Sequence, residues 1–87
     1  MTTSQLLEML KIDLGISTNA YDTRLTALLE ASAEAIAIEG ITLGASVSDA
    51  QLQIMYASWL WRKRDSQEGM PRMLRWHLNN RLFSEKV

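Results

Sequence analysis

Apolar residues recur every three or four positions along almost the whole chain, and very little interrupts them. There is one proline and there are four glycines in 87 residues. No stretch alternates apolar and polar residues with the β-branched side chains of a half-buried strand. A chain patterned this way can bury its apolar faces only by packing helix on helix. The expected fold is all-α, a single four-helix domain over residues 1–87. Glycine and proline punctuation divides it into helices at about 4–14, 20–39, 48–65 and 71–84.

The first helix carries Leu6, Leu7, Leu10 and Leu14 as an apolar stripe, with Ser4 as the expected N-cap. Gly15 fits the position just past its end, where a positive φ is often needed, and Ile16 anchors the loop. The second helix is capped by Thr18 or Asn19, has Asp22 in its first turn and is stopped by Gly40. Leu25, Leu29, Ala33, Ile36 and Ala37 share one face, and Leu28, Ala31, Ala35 and Ile38 an adjoining one. Its many alanines keep it slim, so a neighbour can approach closely. In the uncharged loop 41–47, Ile41 and Leu43 are expected to fold back onto the core. Ser48 and Gln51 have the spacing of a capping box for the third helix. Pro71 suits the first position of the fourth helix, whose core stripe is Leu74, Leu78 and Leu82. Ser84 to Val87 are expected to fray.

The third helix has two apolar stripes. Leu52, Met55, Tyr56 and Trp59 lie on one, and Ala50, Ile54, Ala57 and Trp61 on the other. A helix of a small bundle needs one stripe for its own core. The second is therefore expected to serve a partner outside the protomer, unless both tuck into one compact core. The fourth helix repeats the arrangement, with Met73, Trp76, Asn80 and Phe83 as a second stripe.

Composition limits what such a domain does. The chain has no cysteine and one histidine, so it has neither disulfides nor a thiolate or His-rich metal site. No apolar run is long enough to span a membrane. The residues after Met1 lack the basic and apolar regions of a secretory signal, which suggests an intracellular site of synthesis. His77 sits mid-helix with no acid nearby to orient it and reads as structural or interfacial. No nucleophile, base and orienting partner come together, so the expectation is a non-enzyme with no cofactor.

Charge is unevenly placed. The net charge of −1 divides into −5 over residues 1–58 and +4 over residues 59–87. Either this is chance asymmetry on a solvated surface, or the protomer is polarised for stacking on copies of itself or on a charged partner. All three tryptophans and five of the nine basic residues fall within 59–76. That mixture raises nucleic-acid binding, since cations neutralise phosphates and aromatics stack on bases. Arg62, Lys63 and Arg64 are consecutive, however, and at 100° per residue they fan around the helix instead of forming one stripe. A small DNA-binding or DNA-packaging accessory domain is the alternative reading.

Several segments together carry a family resemblance. They are Leu10-Lys11 with Leu14-Gly15-Ile16; Tyr21-Asp22 and Glu39-Gly40-Ile41 at the two ends of the second helix; Ser48-Asp49; Tyr56 to Arg64; and Met70 to Trp76 with Leu78 to Leu82. Over about residues 6–83 the chain resembles the small head–tail connector proteins of long-tailed bacteriophages and prophages, also called adaptor or head-completion proteins. The resemblance implies a structural role without catalysis. Copies form a ring, commonly of about twelve, beneath the portal, extending the DNA channel and offering a platform to stopper or tail proteins. Implied partners are further copies of the chain, the portal protein, neck proteins and DNA in transit, with no membrane. The implied place is the virion neck, with assembly in the bacterial host cytoplasm. On this reading Ile54, Trp61, Met73, Trp76 and Phe83 are candidates for the protomer interface, with Trp59 in the core. Arg62, Arg64, Arg72, Arg75 and Arg81 are candidates for charged partner contacts. The uncharged loop 41–47 would suit a channel or docking surface.

Overall fold

The computed structural model describes residues 2–63 and 69–86. Four helices and no strand occur among them: α1 (Thr3–Leu14), α2 (Asp22–Ile38), α3 (Val47–Arg62) and α4 (Arg72–Lys86). The all-α, four-helix expectation holds. None of these helices is long and apolar enough to cross a membrane.

Helix ends follow local chemistry, and several differ from expectation. Thr2, not Ser4, caps α1. Its hydroxyl accepts the Gln5 N–H at 3.2 Å while Gln5 Oε1 accepts the Thr2 N–H at 2.9 Å, a reciprocal box. At the other end Gly15 takes φ 71°, and the Ile16 N–H reaches back to the Lys11 carbonyl at 2.9 Å. The start of α2 has no side-chain cap. Asn19 instead accepts from Lys11 Nζ at 3.0 Å, and the same ammonium pairs with Asp22 at 2.9 Å. One cation thus ties the loop and the first turn of α2 back to α1. Gly40 closes α2 with φ 102°, where a Cβ would lie 3.2 Å from the Leu82 side chain. The chain then drops Ile41 into the core.

The third difference is at α3. Ser46 is the cap, accepting the Asp49 N–H at 3.1 Å, and Ser48 is exposed in the first turn. The overlapping spacings Ser46–Asp49 and Ser48–Gln51 are both plausible boxes. The first wins because it turns the Asp49 carboxylate inward, where it has other partners. Pro71 stands just before α4, its carbonyl accepting the Arg75 N–H at 3.1 Å. At the far end α4 stays helical through Lys86 where fraying was expected, and an Arg81–Glu85 pair one turn apart supports it. The expected turn at 65–68 and the last residues expected of the third helix, 64–65, lie outside the described residues.

Packing places α3 at the centre. On one side Ala50, Ile54 and Ala57 join Leu6 and Leu10 of α1 and Leu25, Leu28 and Leu29 of α2. On the other, Leu52 and Trp59 join Leu74 and Leu78 of α4, together with Ile36 and Ile41. At 100° per residue these two faces of α3 are centred roughly 180° apart. Both stripes are therefore used inside the protomer, which overturns the expectation that one would be left for a partner. The helix lies between α1 and α2 on one side and α4 on the other, and a middle element needs two apolar faces.

Candidate functional site: the outer face of the fourth helix

Helix α4 reaches the core through Leu74 and Leu78, with Leu82 beside them. The opposite side of the same helix is also apolar. Met73, Trp76 and Phe83 are 60%, 57% and 72% exposed. With Asn80 they fall within an arc of roughly 80° on the side away from the core leucines, along about 15 Å of helix. A shallow apolar depression between Arg72, Met73 and Trp76 opens at the N-terminal end of this stripe. Trp76 stands edge-on to His77, ring centroids 5.2 Å apart. Side chains of this size left bare on one helix face form the kind of contiguous patch that marks an interaction surface.

The cations around α4 have been largely committed. Arg81 is held by three acceptors from three parts of the chain. Its guanidinium donates to Asp49 Oδ1 at 2.9 Å and Oδ2 at 3.3 Å, to the Thr42 carbonyl at 2.7 Å, and to Glu85. The Gly44 N–H completes the Asp49 carboxylate at 2.7 Å. This buried carboxylate is therefore shared by a loop amide, the first turn of α3 and the middle of α4. Hydrogen bonds from Arg81 hold it below the usual range, against the opposing effect of burial, with the Gly44 amide adding to the first. The same contacts hold the Arg81 guanidinium firmly protonated and lower Glu85. A carboxylate stabilised in its charged form by an arginine fork is a poor proton acceptor, so this cluster acts as a latch. Beside it, Ser48, Leu52, His77 and Ser84 line a small open cleft of about 210 Å³. Among the described residues, no group of three or more His, Cys, Asp or Glu side chains could hold a metal ion.

The remaining candidates divide clearly. Ile54, expected at an interface, is 2% exposed and belongs to the core, because the face it occupies is covered by α1 and α2. Trp61 is half-buried against the same cluster, its ring edge-on to Tyr21 at 5.4 Å. Trp59 is buried, with Lys63 Nζ 4.5 Å from the ring centroid. Arg75 pairs with Glu39 at 2.9 Å across the α2–α4 junction, and Arg81 is the latch, so both serve contacts within the protomer. Arg62 and Arg72 are exposed. Arg64 lies outside the described residues. Sequence reasoning quoted Asp49 only as part of the start of the third helix and did not foresee its burial or its pairing with Arg81. The signal was present in the Ser46–Asp49 spacing, which places an acid at the first turn of α3 directly before the inward-facing Ala50.

Comparison with protein families, with curated proteins and with solved structures found no match.

Proposed function

We propose that this chain is a structural protomer of the head–tail connector type. Copies assemble into a ring beneath a portal, extend the DNA channel and offer a platform to neck and tail proteins. The virion neck is then its working place, and the host cytoplasm its place of assembly. The observation that carries the reading is the doubly apolar α4, one face of which is in the core while the other exposes Met73, Trp76 and Phe83. A helix made this way stabilises its own protomer and still has a surface for a neighbour. The commitment of Arg75 to Glu39, of Arg81 to Asp49 and of Lys63 to the Trp59 ring supports protein contacts over a phosphate-binding surface.

Light scattering with negative-stain imaging, with and without a portal protein, tests the reading. Rings, or portals capped by rings, are expected. A protomer that neither assembles nor binds the portal, yet retards duplex DNA in a salt-sensitive way, would overturn it.

A further inference from the structure

The outer face of α4 has a counterpart on α2. At 100° per residue, Ala27, Ala31, Glu34 and Ile38 fall within an arc of roughly 60° on the side of α2 away from its core leucines. All four are exposed, and Ile38 is 86% exposed. Glu30 borders this strip. Among the described residues neither Glu30 nor Glu34 has an ion-pair partner, and Arg72, on the rim of the α4 stripe, has none either. The two strips are of matching length, about 15 Å on α4 and about 16 Å on α2.

We propose that α4 of one copy docks on the outer face of α2 of the next. Trp76 and Met73 lie over the alanine surface, and Arg72 lies beside Glu30 and Glu34. The occupant is a second copy of this chain, and this contact specifies the seam of the ring proposed above, on which it rests. Three features favour this pairing. The charges are complementary along one edge, where Glu30 and Glu34 would meet Arg72, in a chain whose first 58 residues carry −5 and whose remainder carries +4. The sizes are complementary, since bulky side chains on α4 meet alanines on α2 that leave room for them. The placement is also suitable. The α4 and α2 outer faces each lie opposite their own helix's core leucines, so no protomer brings them together by itself. A two-fold contact between α4 helices would leave the α2 strip bare. A contact from α4 to α2 uses both strips in every protomer and propagates from copy to copy, which is what a closed ring requires.

The absence of native cysteine makes the contact directly testable. The single variants A31C and N80C, each at an exposed position, and the double variant A31C/N80C are treated with a short bismaleimide at high protein concentration. S17C, also exposed, replaces A31C in a control mixture with N80C. Mixed A31C and N80C are expected to form a covalent dimer at least tenfold faster than the control mixture, while each single variant alone stays monomeric. The double variant is expected to give a ladder of dimers, trimers and higher species. Dimers from N80C alone at the rate of the mixture, or no excess over the control, would overturn the contact. Imaging the same samples separates the two ideas. Rings without an A31C–N80C link reject this seam and keep the ring reading, whereas a failure to form rings even with portal present rejects the ring reading itself.

Discussion

Replacing Arg81 with methionine keeps most of the side-chain length and removes every donor. Asp49 is then left buried with the Gly44 amide as its one remaining partner in the protein. Breaking a buried ion pair from one side typically costs about 3–5 kcal/mol. Here the Arg81 side chain is 27% exposed, so water reaches the vacated space and the cost falls to about 2–3 kcal/mol. For a domain of this size that corresponds to a fall in Tm of about 10–20 °C. Asp49→Asn in the same background removes the stranded charge. The double variant R81M/D49N is therefore expected to be at least about 1 kcal/mol more stable than additivity of the two single variants allows. Urea unfolding followed by tryptophan fluorescence measures all four proteins.

Acid adds a second signature to the same experiment. The folded-state pKa of Asp49 is depressed, so its stabilising contribution is fully present above the unfolded value near about 4 and is lost as pH falls through the lower folded value. Across that window the unfolded chain binds more protons than the folded one, and stability rises with pH. In R81M the main cause of the depression is gone and burial acts in the opposite direction, so the contribution of this group to the acid slope shrinks or reverses. Other carboxylates contribute to both proteins, and Glu85, lowered chiefly by Arg81, loses the largest cause of its shift in the same variant. An R81M protein melting within about 3 °C of the parent, with an unchanged acid limb, would refute the latch.

Two further outcomes follow from the placement of side chains. The pair W76S/F83S changes only exposed positions, so stability should stay within about 1 kcal/mol while ring formation is lost in scattering and imaging; W59A, by contrast, empties a core position and should cost about 3–5 kcal/mol in urea unfolding. Ser46→Ala should destabilise by about 1 kcal/mol, whereas Ser48→Ala should be close to neutral in the same assay, because Ser46 is the side chain that caps α3.

Much of the fold was legible because it is local. The leucine stripe of α1, the positive φ of Gly15, the helical spacing of Leu74, Leu78 and Leu82, and the burial of Trp59 and Ile41 all follow from periodicity and punctuation. What periodicity does not carry is the identity of the neighbour. Ile54 and Trp59 sit on opposite faces of α3, and nothing within α3 reveals that α1 and α2 cover one face while α4 covers the other. The pairing of Asp49 with Arg81 spans 32 positions, so each residue alone reads as a solvated charge. The caps failed for a different reason. Hydroxyls two residues apart offer nearly equal local energies at Ser46 and Ser48, and a tertiary contact of Asp49 decides between them.

In the proposed ring, the energetics of α4 link assembly to folding. Its inner face contributes Leu74, Leu78 and part of Leu82, helped by the latch at Arg81 and the Arg75–Glu39 pair. Its outer face carries Met73, Trp76 and Phe83, all exposed. Covering Met73, Trp76 and Phe83 from their present exposure is worth about 4 kcal/mol gross at ordinary transfer values. That is at the bottom of the range of about 4–15 kcal/mol lost in translational and rotational freedom when two bodies associate. A single seam therefore leaves the protomers mostly apart in dilute solution. A protomer held by two seams in a closed ring, or positioned first on a template such as a portal, loses that freedom once and gains the contact twice. A neighbour that binds the folded α4 also stabilises it by mass action. On the proposed reading, the bare stripe drives an assembly that stays weak pair by pair and becomes firm only when the ring closes.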